Sequence, residues 1–370
     1  MSRPLRAAPS DLPAALRDVV EYRKSGLSLN HVVGCPLDCG YCVRHLFANY
    51  EMKRPHLVID DESAVDALVS HWAFRPHSTP VQIFNRATDP FLPKVKDHLF
   101  ETLEALDRRR LRNPVLVITR WRITREDVAR LERLSHVQLT VLVTWSGIED
   151  PRIEPVDSGI AEASLAVLHR HARRTRAIFY WRPLIAGFND TDAHLHRALA
   201  LADLADATVF TGLFFREEIR DHFRTLGVDD LYEDIARRKI FPRDVEKRVL
   251  EAFKDRVLFR KTSCGVGYAH GTADYNGHFG IREICDICPS AQVKICAAAH
   301  RMPDMETVRV LADLAELSDE GLDIDDRRIA VTGSSEQQRY FIQHSLNYQV
   351  HDQTLPHLEH RHGRAELGWS

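Results

Sequence analysis

The sequence predicts an α/β fold: a partial β/α barrel of about six units, followed by a cysteine-rich α+β extension. Three observations predict it. Short apolar runs rich in Val, Ile and Phe alternate with amphipathic stretches from residue 28 to residue 216, the pattern of a parallel sheet with helices between its strands. Cys35, Cys39 and Cys42 stand directly after the first of those runs, at the strand end where such barrels collect functional groups. Beyond residue 216 the alternation stops, and four further cysteines gather between residues 264 and 300.

Taken in order, residues 1–27 read as a lead-in with one helical piece over 12–24, and residues 28–33 as the first strand. Residues 62–72 have helical spacing. A strand over 80–84 ends in Asn85-Arg86-Ala87-Thr88-Asp89-Pro90, a run of turn formers. An amphipathic helix covers 93–110, a strand 115–119, and Thr124 caps a helix over 125–134. Strands over 137–144 and 177–184 flank a helix over 160–173. The turn Ala186-Gly187-Phe188-Asn189-Asp190 leads into a helix over 192–204 and a strand over 208–214. Residues 28–216 are thus the barrel core. Residues 217–263 are a charged helical connection that ends in a last strand over 257–260. Residues 264–300 are the four-cysteine region, and 301–370 a polar tail with helices over 306–317 and 336–344. His357, His360 and His362 in that tail read as a solvated run.

Composition bounds the function. The 370 residues carry a net charge of -3, which argues against a dedicated nucleic-acid binder. Arginine far outnumbers lysine among the 50 basic residues, and guanidinium groups are good forks for phosphate and carboxylate. No stretch approaches the ~20 apolar residues of a membrane span, and the N-terminus lacks a signal-peptide pattern. A soluble cytoplasmic enzyme acting on a small molecule is the expectation. Seven cysteines, an odd number at metal-ligand spacings, do not suit a disulfide framework.

Gly34-Cys35-Pro36-Leu37-Asp38-Cys39-Gly40-Tyr41-Cys42 is a C-x3-C-x2-C triplet. Iron–sulfur cubanes take four thiolates, so a triplet leaves one iron open to an outside ligand. Zinc is the alternative, with His45 as a fourth ligand. Cys264, Cys285, Cys288 and Cys296 form C-x20-C-x2-C-x7-C, a full set for zinc or for a second 4Fe-4S cluster; spacing alone does not choose. His270, Asp274, Tyr275 and His278 lie between these cysteines as candidate substrate contacts or acid–base groups, with Tyr275 a candidate hydrogen-atom donor.

The triplet resembles the radical S-adenosylmethionine superfamily. Residues 28–215 resemble its spore photoproduct lyase-like branch, through Asn85-Arg86-Ala87-Thr88-Asp89-Pro90-Phe91-Leu92-Pro93, Ile118-Thr119-Arg120, Ile153-Glu154-Pro155 and Arg182-Pro183-Leu184-Ile185-Ala186-Gly187-Phe188-Asn189-Asp190. The resemblance implies a catalytic 4Fe-4S cluster on Cys35, Cys39 and Cys42 that chelates S-adenosylmethionine and cleaves it to a 5′-deoxyadenosyl radical. It implies that Asn85, Arg86, Ala87 and Thr88 face the cofactor amine. Arg120, after Thr119, would meet its carboxylate; such relatives often have Thr-Lys there. Thr144 would reach the ribose or carboxylate, Tyr41 would lie near the adenine, and Arg182 would serve an ion pair or a substrate phosphate. By analogy the C-terminal cysteines would hold an auxiliary cluster at the barrel mouth, and a flavodoxin or ferredoxin would supply electrons. The second cysteine group departs from spore photoproduct lyase itself, which weakens a DNA-repair reading.

Overall fold

The computed structural model describes residues 5–354, apart from 7, 9, 11, 234, 236–238 and 241. Strand β1 is Leu5–Arg6; β2 (Val20–Arg23) and β3 (Gly26–Leu29) form an antiparallel hairpin. Of the helix expected over 12–24, the structure has a single 3-10 turn at Ala14–Leu16, and Val20–Arg23 is strand. Val20 and Tyr22 are buried while Glu21 and Arg23 are half-buried, a period of two, and pairing with β3 overrides the helix formers around it. Strand β4 (Val32–Val33) enters the cysteine loop and β5 (His56–Leu57) leaves it, pairing antiparallel with β4 and parallel with β1.

The alternation then follows: α1 (Asp61–Ser70), β6 (Val81–Ile83), α2 (Lys96–Arg108), β7 (Pro114–Thr119), α3 (Arg125–Leu131), β8 (Gln138–Trp145), α4 (Ser158–His171), β9 (Arg176–Leu184), α5 (Asp192–Ala202), β10 (Ala207–Gly212), α6 (Glu217–Thr225), α7 (Arg243–Ala252) and β11 (Leu258–Phe259). Thr124 caps α3 in a reciprocal capping box with Asp127. The main sheet has the order β11-β10-β9-β8-β7-β6-β3-β2, parallel throughout except for β2. Successive parallel strands are neighbours, so right-handed crossovers put the connecting helices on one face. The sheet is open, a partial barrel, and reaches past both expected core boundaries to Val20 and Phe259.

The helix-covered face carries Val115, Val117, Val141, Val143, Phe179 and Trp181. The inner face carries Leu116, Leu142, Ile178, Tyr180, Val209 and Phe259. Each such side chain contributes roughly 1.5–3 kcal/mol when buried. Against the inner face lies α8 (Thr262–His270), whose Cys264 and Val266 join the same cluster. Gly265 permits the approach: a Cβ there would stand 2.7 Å from Val209 Cγ2. His270 Nε2 lies 2.9 Å from Thr140 Oγ1, near the start of β8. Helix α8 thus runs back along the sheet and fills the open barrel, so this part of the cysteine-rich segment is interior packing.

Helices α9 (Arg282–Cys285), α10 (Ser290–Ala299) and α11 (Met305–Leu314) follow, then β12 (Asp323–Ile324), β13 (Arg328–Val331), α12 (Glu336–Leu346) and β14 (Gln349–Asp352). Strands β12–β14 form a small sheet that the sequence did not announce, each strand being four residues or fewer. Helix α12 covers the edge strand β2: Tyr22 N donates to Gln337 Oε1 at 3.0 Å, and the Tyr22 hydroxyl lies 3.1 Å from His344 Nδ1. A covered edge is protected from further strand pairing. His357, His360 and His362 lie outside the described residues. No described helix is long and apolar enough to cross a membrane.

Candidate functional site

Strand β4 delivers Cys35 through Gly34. Gly34 has φ 99°, and a Cβ there would stand 2.1 Å from the Arg54 carbonyl oxygen, so only glycine fits. Cys35 and Cys39 are buried, Cys42 is half-buried, and all three are free thiols. The loop between β4 and β5 is held by Arg44. Arg44 is 2% exposed, and its guanidinium donates to the carbonyls of Cys35 (2.9 Å), Asn49 (2.7 Å), Tyr50 (2.8 Å) and Met52 (2.8 Å). The loop is fixed without using a thiol. Burial pushes the Cys35 and Cys39 thiols up, while Arg44 and Arg120 respectively pull them back. His45 is stacked on Tyr50 with ring centroids 3.7 Å apart, and its centroid lies 4.3 Å from that of His222.

Beside Cys39 stands a buried cluster. Glu154 Oε2 accepts from Arg120 at 2.6 Å and from the Tyr41 hydroxyl, and Arg120 also donates to that hydroxyl. Glu154 Oε1 is 3.7 Å from Cys39 Sγ. The Arg120 guanidinium lies 5.1 Å from the centre of the Tyr41 ring. The backbone of Arg120 is fixed by Asp89, whose Oδ2 accepts its N–H at 2.8 Å. Asp89 Oδ1 accepts from the Thr119 hydroxyl at 2.6 Å, so Thr119 ties the end of β7 to the turn after β6.

That turn starts at Phe84, whose φ of 56° is rare for a bulky residue. Asn85 accepts from the Ser28 hydroxyl and donates to Gln82. Asn30 Nδ2 donates to Ser28 Oγ at 2.6 Å, while its Oδ1 is buried without a partner. The Thr88 hydroxyl is likewise buried and unpartnered. Ala87 packs with Leu12, Leu16 and Val33, and its carbonyl accepts from Gly34 N at 3.0 Å. Arg86 pairs with Glu21 of β2 and lies over the Phe47 ring at 5.3 Å, so it joins the turn to the N-terminal hairpin.

Further round the sheet, Thr144 is in register with Tyr180. Arg182 Nη1 donates to the Tyr180 hydroxyl at 3.4 Å, and Lys239 Nζ lies 3.3 Å from it. Asn189, in the turn after β9, donates to the carbonyls of Ser146 (2.6 Å) and Pro183 (2.7 Å) and so joins the ends of β8 and β9.

The second cysteine group converges. Cys264, Cys285, Cys288 and Cys296, with Asp274 and His278, line one small pocket. Asp274 N donates to Cys296 Sγ at 3.4 Å, Gln292 Nε2 donates to the same sulfur at 3.4 Å, and Cys264 Sγ lies 3.7 Å from Asp274 Oδ1. Burial pushes the Cys264 thiol well up, and Asp274 adds to it. Tyr275 has a buried hydroxyl without a partner; its ring centre is 5.7 Å from that of His344. Sequence reasoning missed Arg44, Asp89, Glu154, Tyr180 and Lys239. Glu154 and Asp89 lie inside runs noticed for other reasons; nothing local marks the other three.

No protein-family model and no curated protein matches the chain. Among solved structures, a variant of spore photoproduct lyase is 10% identical, covering 62% of this chain and 74% of that one with a TM-score of 0.48. The radical S-adenosylmethionine methyltransferase TsrM from Kitasatospora setae, with cobalamin and a [4Fe-4S] cluster bound, is 17% identical, covering 50% and 33% with a TM-score of 0.35. SuiB of Streptococcus suis, bound to its precursor peptide SuiA, is 12% identical, covering 69% and 55% with a TM-score of 0.42. At such identities no residue role transfers from these proteins to this chain.

Proposed function

We propose that this chain is a radical S-adenosylmethionine enzyme acting on a polar small molecule. One observation carries the reading: three free thiols in one loop, entered through β4 just past β3, the first parallel strand of an open, singly wound sheet. Soft thiolates of this kind suit iron–sulfur clusters. Cys35, Cys39 and Cys42 would hold a 4Fe-4S cluster, which when bound supplies the electron that cleaves S-adenosylmethionine to methionine and a hydrogen-abstracting 5′-deoxyadenosyl radical.

The residues around the loop have separate tasks. Arg120 is the candidate partner of the cofactor carboxylate, and Glu154 holds it beside Cys39 until then. Asn30 Oδ1 and the Thr88 hydroxyl are unpartnered and, with Asn85, are candidate contacts for amine and ribose. Thr144, near the end of β8, and Arg182, near the end of β9, are candidate contacts for cofactor or substrate, and Tyr41, beside Cys42, is the candidate neighbour of the adenine. Arg86 is engaged by Glu21 and serves the framework.

The four C-terminal thiols would hold a second 4Fe-4S cluster for electron transfer, substrate binding or sulfur donation. A zinc ion, with Zn–S near 2.3 Å, draws its sulfurs to about 3.8 Å of one another. Among the described residues, the sets of potential ligands that meet within 4.8 Å are Cys264–Asp274–His278 and Asp61–His98–Glu101. The four thiols line one pocket, and Cys264 with Asp274 and His278 makes a three-ligand set inside it, so the cluster is the reading by analogy and zinc is the alternative. Tyr275, with its unpartnered hydroxyl, is the candidate hydrogen-atom donor. A flavodoxin or ferredoxin in the cytoplasm would supply electrons. A nucleic-acid repair role is the competing reading, and the net charge of -3 weighs against it. Anaerobic reconstitution tests the proposal. Iron and sulfide binding with 5′-deoxyadenosine formation supports it; zinc alone with no cleavage overturns it.

A further inference from the structure

The inner face of β9 carries a cluster that the cysteines do not use. Tyr180 and Arg182 are two residues apart on that face. Lys239 reaches them from the segment after β10, where Ile240 bridges to Leu213. Both cations address one oxygen, the Tyr180 hydroxyl, at 3.3 Å from Lys239 and 3.4 Å from Arg182. Both also lie over its ring, at 5.8 and 5.4 Å. Tyr180 is 2% exposed, and the two cations are half-buried. Among the described residues no carboxylate pairs with either cation. Lys24 adds a further positive charge within electrostatic reach of Lys239.

Two partly desolvated cations without an anion are costly. The phenol answers part of that cost. Burial by itself would raise Tyr180, yet Arg182 and Lys239 outweigh it and bring the phenol down to about 7. Burial, followed by the repulsion of Arg182, lowers Lys239 to about 8. Tyr180 shares its apolar cluster with Cys264 of α8, so the charges face the interior that also holds the second cysteine group.

We propose that Arg182, Lys239 and Tyr180 anchor an oxyanion, a phosphate or a carboxylate, carried by the substrate. Arg182 supplies a fork, Lys239 a point charge and Tyr180 a hydroxyl donor. The proposal deepens the function proposed above and rests on it only for the word substrate.

Calorimetry on the reconstituted protein tests it, with pyrophosphate and citrate as separate probes. Wild type binds at least one probe with a millimolar or tighter Kd, and added salt weakens the binding. Arg182→Gln and Lys239→Met each weaken it tenfold or more, while Arg182→Lys retains most of it, which separates charge from packing. Iron content and near-ultraviolet circular dichroism check that each variant is folded. Pyrophosphate binding alone assigns a phosphate, and citrate binding alone a carboxylate; either supports the anchor. No binding of either probe at about 10 mM overturns it, as do variants that bind like wild type. If Arg182→Gln weakens S-adenosylmethionine binding but leaves the probes unaffected, Arg182 serves the cofactor and the anchor falls. Cleavage of S-adenosylmethionine is measured separately. An oxyanion bound by a protein that cleaves nothing supports the anchor and overturns the radical reading.

Discussion

Arg44 Nη1 donates to the carbonyl oxygen of Cys35 at 2.9 Å, and the same guanidinium closes on three more carbonyls of the cysteine loop. The side chain that shapes the loop is thus a cation two residues past the last cysteine. Arg44→Met leaves those carbonyls unpaired in a buried place, at a cost on the order of 3 kcal/mol. Thermal unfolding of the metal-free protein reads the loss, and iron uptake on reconstitution falls with it. An unchanged melting temperature would remove Arg44 from this role.

The two cysteine groups separate in their effects. Cys35→Ala, Cys39→Ala and Cys42→Ala each abolish 5′-deoxyadenosine formation. Cys285→Ala and Cys288→Ala spare uncoupled cleavage and stop product formation. Wild type takes up about eight irons and the Cys35/Cys39/Cys42 triple alanine variant about four. Turnover by any of the three single variants would refute the catalytic assignment.

Arg120 and Glu154 depend on each other. Arg120→Met leaves the buried Glu154 carboxylate beside Cys39 with the Tyr41 hydroxyl and Val156 N as donors but no countercharge, which destabilises the protein by about 3–5 kcal/mol. It also weakens S-adenosylmethionine binding at least tenfold, and Arg120→Lys restores part of that affinity. Equilibrium dialysis against labelled cofactor measures it. Equal affinity in wild type and Arg120→Met would place the cofactor carboxylate elsewhere.

Stability falls on acidification. Burial, followed by Arg176, lowers His270 to about 4, and burial lowers His344 to about 3. Each histidine binds its proton less readily folded than unfolded. The unfolded state therefore takes up more protons as pH drops below 6.5, and the loss grows until pH passes the folded value. At pH 5 each costs at most about 2 kcal/mol. Chemical denaturation from pH 7 to pH 5 shows the decline, and His344→Gln makes it shallower. A curve of the same slope in that variant would rule out His344 as a source.

The misread and the missed positions share a cause. Residues 12–24 contain good helix formers, yet Val20–Arg23 is a strand because the adjoining β3 pairs with it across a tight turn and α12, from far along the chain, covers it. Strands β12–β14 are too short to show a period. Tyr180 looked like one more aromatic of a buried strand until Lys239, 59 residues later, reached its hydroxyl. Glu154 stood in a quoted run, but its role exists only where Arg120 and Tyr41 meet it.

By itself the sequence determined the alternation of strand and helix, the capped start of α3, the loop that carries Cys35, Cys39 and Cys42, and the two cysteine sets. These are written in local spacing, which short-range geometry reads directly. Only the tertiary structure decided that α8 fills the barrel, that four thiols line one pocket, and that Arg44, Glu154 and Lys239 stand at the sites they serve. Those facts depend on contacts between distant segments, and their energies are fixed by burial and charge pairing, which no local spacing records.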